Sequence, residues 1–158
     1  MLRALKVAFT ITALLAVSGA QAAPVTGSCA PTKIRFVASD DIFQIDSTNF
    51  ANAREGTVKF TQGGTRASCV IVSVSAQPVA FGSGVLTVRV MLDNTQLGLP
   101  AEVSFSDGND VTNQVRSFDF IFPDVAPGAH TVRLQAKTSD PAQFTDLNRH
   151  NIIVQYAP

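Results

Sequence analysis

Residues 117–135 read SFDFIFPDVAPGAHTVRLQ, and this stretch decides the fold class. Phe118, Phe120 and Phe122 recur at every second position, which places three aromatic rings on one face of a β-strand. Proline and glycine then interrupt the run, because proline lacks a backbone donor and glycine tolerates turn angles. A second alternation of apolar and polar residues follows over residues 131–137. We predict two antiparallel strands of one sheet, with one face buried and the other in water.

The same period of two recurs along most of the chain and predicts an all-β fold. Residues 68–75 form the most β-branched segment, which indicates a central strand, and no helical period occurs outside the N-terminal leader. The count of about eight or nine strands predicts a single antiparallel β-sandwich, of Ig-like or jelly-roll topology. Most phenylalanines fall at inward positions, and those predicted to lie exposed in loops are Phe50, Phe81 and Phe144.

The first 22 residues have the pattern of a cleaved signal peptide helix. Arg3 and Lys6 precede an apolar run at residues 7–17, and Ala20-Gln21-Ala22 supplies small residues at a cleavage site. A membrane span needs roughly 20 apolar residues, so the run is too short to be an anchor. We therefore predict one β-sandwich domain at residues 23–158, exported to the periplasm or beyond the cell, with no stable membrane insertion after cleavage.

The two cysteines, Cys29 and Cys69, are predicted to form a disulfide, because an even number of cysteines in an exported chain usually pairs. A disulfide that closes a loop of about 40 residues stabilises a fold by roughly 4 kcal/mol in the chain-entropy model. Two free thiols and a metal-binding pair are the alternatives. A zinc site is disfavoured because close-spaced ligand pairs are absent.

The charge balance argues against nucleic-acid and lipid-surface partners. The chain has 12 basic and 12 acidic residues, and loss of the leader removes two of the basic ones. A surface so close to neutral, with no Lys/Arg run, offers little to phosphate backbones or anionic lipids.

No catalytic device is recognisable, so we predict a protein that is not an enzyme and that needs no cofactor or metal. His130 follows a turn and is predicted to be exposed, and no nucleophile-elbow, zinc-protease or phosphate-loop motif occurs. Asp107 begins the run DGND at residues 107–110, which could offer oxygen ligands to a cation but is also a common turn signal.

The longest stretch without a clear period is residues 138–151, which we predict to be a loop. A functional interpretation groups Asp146, Arg149 and His150 as a polar binding cluster at one end of the sandwich. The alternative is a solvated loop with no role. A flat sugar-stacking platform is disfavoured by the absence of tryptophan, whereas a hydrogen-bonding loop site for a glycan or protein stays open.

Two families resemble parts of this chain. Residues 126–136, together with the last strand at 152–156, resemble the closing strands of bacterial exported Ig-like and fibronectin-III-like domains, which implies a sandwich and no particular ligand. Cys29, Cys69 and Tyr156 resemble the early disulfide and late tyrosine of chaperone–usher pilus subunits. Those subunits donate an N-terminal strand to a neighbour, whereas only residues 23–28 precede Cys29 in the predicted mature chain.

Taken together, these patterns predict a non-catalytic exported module for binding, adhesion or structure, with an unknown protein or glycan as partner. One alternative is a subunit of a pilus-like surface fibre. Another is a secreted hydrolase with an unrecognised site.

Overall fold

The computed structural model describes residues 26–27, 29–108 and 114–158. Within these residues the chain forms strands and turns and no helix. Two antiparallel sheets pack face to face, which confirms the predicted antiparallel β-sandwich. The predicted leader lies outside the described residues, as do Asn109 and Asp110 of the DGND run.

Ten strands are present, one more than the upper prediction. In chain order they are β1 (Lys33–Ala38), β2 (Ile42–Gln44), β3 (Ala51–Gln62), β4 (Ser68–Ala80), β5 (Leu86–Leu92), β6 (Gln96–Leu97), β7 (Val103–Ser104), β8 (Arg116–Val125), β9 (Gly128–Thr138) and β10 (Thr145–Tyr156).

Each sheet has five strands. Sheet A has the order β1-β10-β4-β8, and β2 also pairs with β10. Sheet B has the order β3-β9-β5-β6, and β7 also pairs with β5. The predicted central strand at residues 68–75 is confirmed, since β4 lies between β10 and β8.

The core forms between the inner faces of the two sheets. On sheet A, Val72 and Val74 are fully buried and pair across the strands with Val154 and Ile152, which are fully buried as well. Leu86, Val88, Val90, Val132 and Leu134 face them from sheet B and are also fully buried. Burying a side chain of this size contributes roughly 1.5–3 kcal/mol, so this double layer supplies most of the stabilisation.

The disulfide between Cys29 and Cys69 is present, with 5.6 Å between the two Cα atoms. It joins the segment before β1 to the beginning of β4. The pairing predicted for the two cysteines is confirmed.

The prediction that strands β8 and β9 share a sheet was wrong. β8 pairs with β4 in sheet A, whereas β9 pairs with β3 and β5 in sheet B. Only Ala126 and Pro127 separate the two strands, so the chain crosses from one sheet to the other at this point. The alternation was interpreted correctly as two strands, but alternation alone does not show which neighbour a strand pairs with.

The three phenylalanines of β8 are not equally buried. Phe120 and Phe122 are fully buried, but Phe118 is 41% exposed. The loop at Gly98 explains the difference, since a Cβ atom placed there would lie 2.9 Å from Cβ of Phe120 and 3.2 Å from Cζ of Phe122. This loop therefore packs against β8 at Phe120 and Phe122.

Strand β1 presents its apolar residues on the unexpected side. Ile34 and Phe36 are 62% and 71% exposed, so the prediction that such phenylalanines point inward fails here. The register explains the inversion: Lys33 pairs with Tyr156, a core residue, and directly opposed residues share a face. Thr32 N–H donates to the carbonyl of Tyr156 at one end of β1, and Ser39 N–H to that of His150 at the other, which holds this register.

The unequal burial in β8 gives a direct test of the core. We expect Phe120→Ala to lower the free energy of unfolding by about 3–5 kcal/mol, because it leaves a large cavity. Phe118→Ala is the matched control on the same face and should cost about 1 kcal/mol or less. Urea unfolding followed by circular dichroism measures both, and equal losses would contradict the described packing.

Candidate basic cleft

An open cleft of about 480 Å³ lies where the edge strand of sheet A, β1, passes the edge strand of sheet B, β3. Strands β9 and β10 complete its walls. Its lining residues are Lys33, Arg35, Lys59, Phe60, Thr61, Ala129, His130, Thr131 and Tyr156. We call it the basic cleft.

The inversion of β1 is what supplies cations to this cleft. Lys33 and Arg35 take the side of β1 that faces inward, because they pair with Tyr156 and Val154, whose side chains belong to the core. At the edge of the sandwich this inward side opens to water, and both cations are exposed. Lys59 reaches the same cleft from the exposed side of β3.

None of these three cations is neutralised by the protein. Within the described part of the chain, Lys33, Arg35 and Lys59 make no ion pair or side-chain hydrogen bond. Two other cations of sheet B do have partners, since Lys137 forms an ion pair with Glu102 at 3.1 Å and Arg133 donates a hydrogen bond to the amide oxygen of Asn94 at 2.6 Å. The basic cleft therefore gathers positive charge without a carboxylate among its lining residues.

Three rings form the floor of the cleft. The ring centroid of Phe60 lies 5.5 Å from that of His130 and 4.9 Å from that of Tyr156. Phe60 and Tyr156 are buried, so little of either ring is open to solvent. The floor therefore offers little ring surface on which a sugar could stack.

Both ring nitrogens of His130 are already engaged. Nδ1 lies 2.7 Å from Oδ2 of Asp93, and Nε2 lies 2.8 Å from the carbonyl oxygen of Ala126. Both of these partners are oxygen atoms that accept hydrogen bonds, so each ring nitrogen already lies against a partner within the protein. His130 therefore has no free nitrogen with which to act as a base.

Asp93 holds this histidine in place from a turn after β5. Partial burial on its own would raise the pKa of Asp93, but the hydrogen bonds from His130 and from Thr131 N–H, together with the charges of His130 and Arg133, outweigh it and lower the pKa. The carboxylate therefore stays ionised and remains committed to His130 and Thr131.

The residues predicted as a loop site lie elsewhere, and their assignment to a loop was wrong. Asp146, Arg149 and His150 belong to β10, which begins at Thr145. A bulge between Asn148 and Asn151, where Arg149 has a φ of 46°, shifts the alternation by one residue. The break in period suggested a loop, but its cause is a bulge within a strand.

The three residues do not form one surface cluster. Asp146 and His150 are buried at 3% and 1% exposure, whereas Arg149 is exposed and lines a separate shallow cleft of about 190 Å³ with Gln77 and Asn148. Burial raises the pKa of Asp146. A binding role for the three together stays a prediction, but only Arg149 is accessible from solvent.

Burial lowers the pKa of His150, although the carboxylates of Glu55 and Asp41 partly offset the effect. Its ring nitrogens lie near the backbone of Arg54 and Glu55 without reaching hydrogen-bonding geometry. The neutral imidazole is therefore the form that the fold favours.

The phenylalanines predicted to be exposed and the possible cation-binding run differ in their surroundings. Phe81 and Phe144 are exposed and stack edge to face, with 5.6 Å between centroids. Phe50 is instead half-buried beneath Arg89, whose guanidinium lies 3.9 Å from the ring centroid. Asp107 and Gly108 form a bend, with Gly108 at a φ of 101°, and no group of three or more His, Cys, Asp or Glu residues in the described part of the chain could hold a metal.

Sequence comparison identifies no relative: no family model and no curated protein matches this chain. Solved structures do share the architecture. The VP2 subviral particle of infectious bursal disease virus matches with a TM-score of 0.53 and 11% identity over 79% of this chain and 32% of VP2. A sugar-binding protein, the EclA C-terminal domain, matches with a TM-score of 0.45 and 12% identity over 87% of this chain and 86% of that domain.

A family GH115 4-O-methyl-α-glucuronidase also matches, with a TM-score of 0.47 and 14% identity over 88% of this chain and 19% of the enzyme. This chain thus spans about a third of VP2 and about a fifth of the glucuronidase. At such low identity the likeness to VP2 concerns the β-sandwich fold alone, and the two matches with TM-scores below 0.5 carry no argument.

The buried histidine predicts a pH dependence of stability. Because the folded-state pKa of His150 lies below its ordinary value of 6.5, the folded state binds the proton less tightly than the unfolded state. The free energy of unfolding should then be fully retained above this value and fall as the pH drops from about 6.5 towards the folded-state pKa, by at most about 1.4 kcal/mol per pH unit. Urea unfolding at a series of pH values measures this slope.

His150→Leu should remove that component of the slope. Arg149→Gly is the control, since glycine accepts the positive φ at this position and the residue is exposed. An unchanged slope in His150→Leu would show that other groups carry the acid sensitivity.

Proposed function

We propose that this chain is an exported, non-catalytic binding module that holds an anionic ligand in the basic cleft. The observation that carries the proposal is the convergence of Lys33, Arg35 and Lys59 on one cleft with no neutralising partner within the described residues.

The repulsion between these cations points towards an anion. Residues two positions apart on a strand are about 7 Å apart, and two unit charges at that distance in water repel by about 0.6 kcal/mol. The cost is small, but no carboxylate in the described residues removes it, whereas Arg54 and Lys137 elsewhere on the surface are paired with Asp41 and Glu102. A bound anion converts the same charges into attraction.

Charge on an edge strand also has a structural use, since inward-pointing charges discourage edge-to-edge aggregation. A single cation on each edge strand would be enough to discourage edge-to-edge aggregation. Here Lys33 and Arg35 from one edge and Lys59 from the other line the same cleft. This concentration of like charge favours a ligand site.

The lining of the cleft indicates what kind of ligand fits. A volume of about 480 Å³ is within the usual range of small-ligand sites, roughly 300–1,000 Å³. The hydroxyls of Thr61 and Thr131 add hydrogen-bonding capacity at the walls, while the buried rings give little apolar contact. We infer a compact, oxygen-rich polyanion, or the acidic end of a larger glycan or protein.

The same geometry supports a binding role over the hydrolase alternative. Hydrolysis needs a base free to activate a nucleophile or water, or a pair of convergent carboxyl groups. His130 is engaged at both nitrogens, and no carboxylate lines the cleft.

For the surface-fibre alternative, donor-strand assembly would need a groove open to the core. In the described residues the inner positions of both sheets' central strands are fully buried, which favours a self-sufficient domain.

Export is supported by the disulfide, since such bonds persist in oxidising compartments. In the described part of the chain no helix has the length and apolar character needed to cross a membrane. We propose a periplasmic or extracellular location, so the ligand is one found outside the cytoplasm.

Isothermal titration with four probes tests the proposal: inorganic phosphate, citrate, an oligouronate and an Asp/Glu-rich peptide. We expect at least one to bind, and its affinity to fall between about 0.01 M and about 0.15 M ionic strength, as the Debye length shortens from roughly 30 to 8 Å. The triple variant Lys33→Gln, Arg35→Gln and Lys59→Gln should bind at least about tenfold more weakly, since exposed charge pairs contribute up to about 1 kcal/mol each.

A matched triple variant removes the same charge from the outer face of sheet B: Arg89→Gln, Arg133→Gln and Lys137→Gln. It should retain the wild-type affinity. The proposal fails if none of the four probes binds, or if the two triple variants weaken binding equally.

A further inference from the structure

A second surface lies on the opposite side of β1, on the outer face of sheet A. Phe36 is aligned with Ile153 on β10. Ile34 is aligned with Gln155 on β10, which is in turn aligned with Ile71 on β4. Ile71 is in turn aligned with Ile121 on β8, which bridges to Leu99. We call this surface, which crosses the whole sheet, the neutral face.

The charge of this surface differs sharply from that of sheet B. The outward positions in these rows of sheet A carry one ionised side chain, Asp119, at the β8 edge. The outward positions in these rows are Ile34, Phe36, Ala38, Asn151, Ile153, Gln155, Ile71, Ser73, Ser75, Ser117, Asp119 and Ile121. The outer face of sheet B carries four cations: Lys59, Arg89, Arg133 and Lys137.

The apolar side chains on this face are unusually exposed for a strand. Phe36 and Ile34 are the most exposed large apolar residues on β1, and Ile121 is 41% exposed at the other side of the sheet. Contiguous exposed apolar surface of this kind usually marks an interaction site.

The near absence of charge on the neutral face limits which kinds of partner can bind it. A charged partner would lose water from its charged groups and find no opposite charge in return, apart from the single Asp119. A second copy of the chain meets no such penalty, because its own neutral face presents the same uncharged rows. In a two-fold arrangement the same patch serves both partners, so the exposed side chains of Ile34 and Phe36 meet a face of the same neutral composition.

The size of the face sets the expected strength. Four strands about 4.8 Å apart and five residues long cover roughly 300 Å² of sheet plane. A standard interface buries about 800 Å² of accessible surface on each partner, so the neutral face is small. The association should therefore be weak and reversible.

We infer that the neutral face is a self-association surface, through which two copies stack sheet A against sheet A into a weak two-fold dimer. This inference does not depend on the anion proposed for the basic cleft, which lies on the other side of β1.

Sedimentation velocity on protein expressed from the full-length sequence tests this inference. We expect the weight-average mass to rise from the monomer towards the dimer between about 10 μM and about 1 mM protein. Phe36→Asp should lower the association constant by at least about tenfold, and Ile34→Asp should do the same. Since both side chains are mostly exposed in the monomer, the thermal midpoint of the monomeric form should stay near that of the wild type.

Leu97→Asp is the control, because Leu97 is an exposed apolar residue on β6 of sheet B and lies outside the neutral face. It should leave the association constant unchanged. A wild-type chain that stays monomeric up to about 1 mM overturns the inference, and so does a Leu97→Asp variant that dissociates as readily as Phe36→Asp.

Discussion

The burial of aliphatic side chains between β4 and β10 on one side and β5 and β9 on the other is the interaction on which the rest of the structure depends. These four strands hold the fully buried valines, leucines and isoleucines, and every other strand pairs with at least one of them. The edge strands β3 and β8 add Phe60, Phe120 and Phe122 to this core, whereas the edge strand β1 adds no buried residue. This leaves β1 free to depart from the usual inward and outward pattern.

The central strands were predictable because their alternation is unbroken. Residues 70–75 and 152–156 alternate between buried and less buried positions, as their sequence indicates. The beginning of β10 was not predictable, because the bulge at Arg149 moves the inward positions from an odd to an even series. A similar irregularity interrupts the alternation in β3, where Glu55 has a φ of 55° and the pairing with β9 shifts between Asn52 and Thr57.

The candidate site was missed for a different reason. Lys33 and Arg35 alternate with Ile34 and Phe36, a pattern that predicts apolar residues inside and charges outside. The register with β10 reverses this arrangement, and register is a long-range property that local alternation does not encode. His130 was expected to be an exposed turn residue, since the sequence gives no sign that Asp93, 37 positions away, holds its ring. A conflict between local pattern and global placement is itself informative, because such conflicts concentrate at functional positions.

The disulfide also limits how far β1 can move. Only three residues separate Cys29 from Lys33, so the two Cα atoms lie at most about 14 Å apart even when the segment is fully extended. An edge strand bonded along one side would ordinarily fray from its free end. Here the disulfide attaches the segment just before β1 to the beginning of the central strand β4, which limits how far this end of β1 can separate from the sheet. The cations on one side of β1 and the apolar residues on the other therefore keep a fixed spatial relation when the edge strand opens locally.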